Sequence, residues 1–136
     1  MSAITDPFPR LPHGQPFLLV DRVVEIGAKR GVFLKNVTAA DPCVAPDGTL
    51  PAAFLVEALA QAGGAFLTAL GDSAPTPGYL ASVDGFSCPL VPRVGDTVRI
   101  EVEILRAFSG ATHFRGRAFV GEALCAEGRF TLALPR

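Results

Sequence analysis

The chain has 136 residues, of which 49% are hydrophobic and only 18% charged, with a formal net charge of −1. That length suits one domain, residues 1–136, able to bury a core without staples, and the composition is too apolar for a disordered segment. No basic cluster is present, which excludes the usual nucleic-acid surface, and the apolar surplus points to surface covered by a partner or a ligand.

Pro7, Pro9, Pro12 and Pro16 punctuate an extended or turn-rich entry. Its first ten residues lack the basic region and apolar stretch of a signal peptide. Residues 17–26 predict a strand bounded by Gly27, and residues 32–37 its partner after a turn at 28–30. Residues 42–48 predict a loop with a Pro46-Asp47-Gly48 turn.

Pro51 suits the first turn of a helix, where a missing N–H costs nothing. The helix should run to Leu70 and stop at Gly71. It is apolar on nearly every side, so it is expected to be surrounded by protein. Gly63-Gly64 costs about 1 kcal/mol of helix propensity per glycine, which is understandable if another backbone approaches there. Residues 50–70 are also long enough for a membrane span of about 20 residues. Glu57, Gln61 and the glycines, with no flanking Lys or Arg cluster, favour a buried helix of a soluble protein instead.

Residues 72–77 predict a loop and 79–86 a strand. Val98, Ile100, Val102 and Ile104 alternate with Arg99, Glu101 and Glu103, the period-2 pattern of a half-buried strand. Residues 112–120 follow, then a Gly121-Glu122 turn and a last strand at 123–134, which completes an antiparallel meander. The order is strand, strand, long helix, four strands. A helix apolar all round needs a sheet that curls about it, so an α+β hot-dog architecture is expected: a curled antiparallel sheet wrapped on one central helix. Its edge strands would be covered by pairing two copies.

Cys43, Cys88 and Cys125 are odd in number and form no Cys-x-x-Cys pair, so a disulfide framework or zinc site is not expected, and a reducing, cytoplasmic compartment is. No Gly-x-Ser-x-Gly elbow, phosphate loop or Rossmann glycine pattern occurs, and the aspartates form no metal-ligand run. Glu57 is the only charged residue between Leu50 and Leu70. A carboxyl there suits a general acid or base, or else a structural pair with an arginine. Gln61, one turn on, could bond that carboxyl or a substrate oxygen, or could be a satisfied interface residue. His13, His113 and Cys43 have equally plain structural readings: a solvated or packed imidazole, and a buried inert thiol.

The run from Leu11 through His13 and Asp21 to Val23 resembles the opening of the FabZ-type 3-hydroxyacyl-carrier-protein dehydratases. Lys35-Asn36-Val37-Thr38 resembles their next strand, and Glu57-Ala58-Leu59-Ala60-Gln61-Ala62-Gly63-Gly64 their central helix, with the catalytic Glu and the Gln one turn later. Tyr79-Leu80-Ala81-Ser82-Val83-Asp84, Pro89-Leu90-Val91-Pro92, Gly95-Asp96 and residues 122–134 continue the likeness over nearly the whole chain. Two departures stand out. The family's catalytic His position falls on Cys43, and Arg93-Val94 lengthens a family turn by two residues. The altered loop is similar to that of the dehydratase-like proteins of aryl-polyene biosynthetic clusters, which also keep the His of the opening block.

The resemblance implies a dimer, homo or hetero, with sites built from both subunits. It implies a thioester carried on the phosphopantetheine of an acyl carrier protein or on CoA, and no further cofactor. A base removes the C2 proton and the Glu protonates the departing 3-hydroxyl. Carried over, Glu57 acts on the hydroxyl, the Ala52 N–H binds the carbonyl, Gln61 and Cys43 line the substrate site, and His13 is the replacement base. Two alternatives remain: a catalytically impaired partner of an active dehydratase or carrier protein, favoured by the missing base, and a hot-dog thioesterase.

Overall fold

A computed structural model of the chain describes residues 18–71, 79–108 and 110–133. His13 therefore lies outside the described residues, as does most of the proline-rich entry.

Among the described residues, six strands and one helix follow in the expected order: β1 (Arg22–Ile26), β2 (Arg30–Asn36), α1 (Ala52–Gly71), β3 (Tyr79–Ser87), β4 (Thr97–Phe108), β5 (Ala111–Val120) and β6 (Ala123–Ala133). The strands form one sheet in the order β1-β2-β4-β5-β6-β3. Every pairing is antiparallel. β4, β5 and β6 are the expected meander. The sheet does not close, and α1 packs against β1, β2, β4, β5 and β6. This is the hot-dog arrangement.

The period-2 pattern of β4 holds where the helix covers it. Val98, Ile100 and Val102 are fully buried, while Ile104 is only partly so, next to a bulge between Ile104 and Arg106. From the helix, Leu55, Leu59 and Phe66 enter the same core with Phe33, Phe114 and Phe130. Each such side chain contributes about 1.5–3 kcal/mol relative to full exposure.

Three expectations need correction. The first strand starts at Arg22 rather than near residue 17, although Leu19 and Val20 are buried. Leu19 leaves the ladder because its N–H is taken by the Gln61 side chain. Pro51 sits immediately before the helix rather than within it, and its carbonyl accepts the Phe54 N–H at 3.0 Å, so it caps the first turn it was expected to occupy. At Gly63 it is the Phe114 ring, not another backbone, that approaches: a Cβ there would lie 2.7 Å from Phe114 Cε1.

The helix is also less enclosed than its composition suggests. Nine of its 20 residues are buried. The remainder includes a stripe at Ala53, Val56, Glu57, Gly64, Leu67 and Thr68 that the chain's own sheet leaves exposed or half-buried. The helix is long and apolar enough to cross a membrane, but its inner face is packed on the sheet as a core helix would be.

Candidate active site

Glu57 occupies that open stripe, half-buried. Gln61, one turn further along, is 1% exposed. Its Nε2 donates to Glu57 Oε1 at 3.1 Å, and its Oε1 accepts the Leu19 N–H at 2.7 Å. Since a backbone N–H can only donate, the Leu19 bond fixes which way the amide points, and the NH2 group must face the carboxyl. The sequence placed Glu57 and Gln61 together by i,i+4 spacing. It gave no sign that the opening segment is tied to the same amide.

Ala52 is the first residue of α1. Its N–H belongs to the first-turn group that helix geometry leaves without an intrahelical acceptor, at the positive end of the helix dipole. Five residues separate it from Glu57, or about 7.5 Å along the axis. A hydrogen-bond donor at Ala52 and a carboxyl group at Glu57 thus lie on one rigid element.

Cys43 lies in the loop ahead of the helix but belongs to the core, at 7% exposed. Its N–H donates to Asp41 Oδ1 at 2.9 Å. Burial, and then the neighbouring Asp41 charge, push its thiol above the ordinary value, outweighing the opposite pull of Lys35. A thiol held protonated is a poor base and a poor nucleophile at neutral pH. Cys88 and Cys125 are likewise pushed up, chiefly by burial.

Beneath the loop lies a charge pair that sequence reading missed. Lys35 Nζ donates to Asp41 Oδ2 at 2.6 Å, with side chains 5% and 8% exposed. Burial tends to raise the Asp41 carboxyl, but the Lys35 hydrogen bond, the Cys43 N–H and the Lys35 charge together hold it below the ordinary carboxylate range. A signal was available: Phe33 and Lys35 in β2 and Val37 just past its end alternate and all are buried, so a lysine on that face requires an acid.

The pre-helix loop is further locked to the turn after β3. Asp47 Oδ1 accepts the Thr49 N–H at 3.0 Å and the Thr49 hydroxyl at 2.6 Å, while Gly48 takes a left-handed φ of 86°. Across the gap, Arg93 Nη2 donates to the Asp47 carbonyl at 3.3 Å. The Val94 N–H donates to the Gly48 carbonyl, and the Leu50 N–H to that of Pro92, each at 2.9 Å. The expected Pro46-Asp47-Gly48 turn is present, and the extra residues Arg93-Val94 are what it leans on. His113 stands on the other side of the sheet from the helix, since its neighbour Phe114 faces Gly63. Its Nδ1 lies 3.0 Å from Thr131 Oγ1 on the adjacent strand.

Among the described residues, no group of three or more His, Cys, Asp or Glu side chains could hold a metal ion.

The family model described as ApeP-like, ApeP dehydratase, matches residues 6–136. The 3-hydroxyacyl-[acyl-carrier-protein] dehydratase FabZ of Desulforamulus reducens is 38% identical over 131 residues, covering 91% of this chain and 91% of its own. The FabZ of Variovorax paradoxus is 39% identical over 136 residues, covering 91% and 88%. Among solved structures, a chain of the dehydratase heterocomplex ApeI:P from Xenorhabdus doucetiae superposes with a TM-score of 0.86 at 22% identity, over 94% of this chain and 90% of that one. A hypothetical thioesterase with coenzyme A from Streptococcus pneumoniae superposes at 0.69 and 13% identity, over 83% and 84%.

Proposed function

This chain belongs to the ApeP-like dehydratase family, within the FabZ-like hot-dog group, and from that premise we propose that it eliminates water from a 3-hydroxyacyl thioester delivered on acyl carrier protein or CoA. A base takes the C2 proton, the electron pair forms the C2–C3 double bond, and the 3-hydroxyl leaves as water with a proton from the Glu57 carboxyl. The Ala52 N–H stabilises the charge that builds on the thioester oxygen. Gln61 is a positioning residue: it holds the carboxyl through its own bond to Leu19. His13, in the same opening block as Leu19, is the assigned base. The chain supplies no cofactor of its own, because the phosphopantetheine arrives with the substrate.

The observation that carries this reading is the Leu19–Gln61–Glu57 relay on the open face of α1. The test is hydration of crotonyl-CoA by the wild type, Glu57→Gln and His13→Ala. Loss of general acid or base is expected to lower turnover by about 10²–10⁴-fold. Unchanged turnover in both variants would refute the assignment.

A second reading is favoured by the state of Cys43. A buried, protonated thiol stands where the family keeps its base, and the structural relative with the highest of the TM-scores above was solved as a heterocomplex. In this reading a paralogue carrying the family His completes a shared site with Glu57. The edge strand β3 supports pairing with a second chain: it is bonded only to β6, and Val83 is left 37% exposed on the helix-side face. Activity that appears only on mixing with such a paralogue, and vanishes with Glu57→Gln, would select it. Activity of this chain alone that depends on His13 would exclude it.

A further inference from the structure

On the face of the sheet turned away from α1, β5 and β6 bring three arginines around one hollow that β3 borders at Gly85. Arg115 and Arg129 are directly opposite each other in the β5–β6 register, and Arg117 stands opposite Glu127 one row on. Like charges opposite one another oppose strand pairing, so this arrangement needs a counter-charge. The counter-charges present are weak or distant. Arg115 Nη1 is 4.0 Å from Glu103 Oε1 and Arg117 Nη2 is 3.6 Å from Glu101 Oε1. Glu101 already holds Arg30 at 2.7 Å and Arg99 at 3.1 Å. Arg129 has no ion pair among the described residues, although Asp84 is its partner in register.

The hollow measures about 230 Å³ and is lined by Gly85, Arg115, Arg117, Glu127, Gly128 and Arg129. Gly85 opens it: its φ is +60°, and a Cβ there would lie 3.2 Å from Arg129 Nη2, against the guanidinium. No apolar side chain lines the hollow, so it does not suit an acyl chain. Three guanidinium forks against one carboxylate leave a lining charge of +2, which suits a compact polyanion. Guanidinium groups bind phosphate oxygens in paired, directional hydrogen bonds.

We propose that Arg115, Arg117 and Arg129 form a binding site for a phosphate-bearing small molecule on the outer sheet face, separate from the Glu57 site and independent of the dehydratase reading. The shared chemistry is the phosphate group; its source is either free polyphosphate or the phosphates of a nucleotide.

The test is a titration of the full ¹⁵N-labelled chain, following the arginine Nε–H signals, with pyrophosphate and with adenosine 3′,5′-bisphosphate. Saturable shifts confined to Arg115, Arg117 and Arg129 are expected with pyrophosphate. Tighter binding of the bisphosphate would assign the site to a nucleotide, and equal or weaker binding to free polyphosphate. Arg115→Ala and Arg129→Ala should each weaken binding by about tenfold, as loss of a charge-assisted bond implies. Arg106→Ala, on the same face but stacked 4.9 Å over Phe108, should not. Shifts spread evenly over all arginines, an equal loss in Arg106→Ala, or binding of a glutamate-rich peptide without binding of either phosphate compound would overturn the proposal.

Discussion

Gly63 shows how a single atom can outweigh helix propensity. Alanine is the better helix former by about 1 kcal/mol, yet its methyl would press into the Phe114 ring. Gly63→Ala is therefore expected to destabilise the protein by about 1–3 kcal/mol, measured by urea denaturation, and Phe114→Leu in the same chain to restore part of the loss. Gln61 makes the complementary case. Gln61→Leu keeps the volume but strips the acceptor from the buried Leu19 N–H, at a cost of about 1–3 kcal/mol, and it removes one of the hydrogen bonds that orient the Glu57 carboxyl. The same variant should lower turnover of crotonyl-CoA by less than the about 10²–10⁴-fold expected for Glu57→Gln. From sequence, Glu57 and Gln61 stood out as polar residues in an apolar helix. The Leu19 bond did not, because a backbone donor leaves no mark in residue type.

Strand β2 carries its own vulnerability in the Lys35–Asp41 pair. Breaking such a pair from one side costs about 3–5 kcal/mol, because the remaining charge stays buried; Asp41→Asn and Lys35→Met should both show this, and the double variant less than their sum. The pH dependence follows from the Asp41 carboxyl lying below its ordinary range. The folded chain holds that proton less tightly than the unfolded one. The stabilisation is therefore fully present above the unfolded-state value and is lost as pH falls through the lower folded value. Wild type should lose stability on acidification through that window, and Lys35→Met should lose less, as read from unfolding midpoints across acid pH. The alternation of β4 and the turn at Gly121-Glu122 were legible because local pattern determines them. The start of β1 was not, since Leu19 and Val20 have strand composition and only a tertiary bond to Gln61 removes Leu19 from the ladder.

The architecture of the whole molecule could be argued from one long apolar helix among six strands. That argument overstated how far one copy encloses its helix: the stripe from Ala53 to Thr68 remains open, and so does the inner side of β3. Composition reports how apolar a surface is, not which molecule covers it. If a second chain covers β3, Val83→Asp should shift the protein toward monomer in sedimentation velocity, with Val24→Asp on the opposite edge strand as the control that does not. The contact between the Asp47-Gly48 turn and Arg93-Val94 has a consequence for anyone seeking to convert this protein into its histidine-bearing cousins. The two stretches are distant along the chain yet brace each other, so they form a single exchangeable module. Transplanting a histidine loop alone would strand the longer turn without its abutment, and only a paired graft of both segments should leave the helix seated as before.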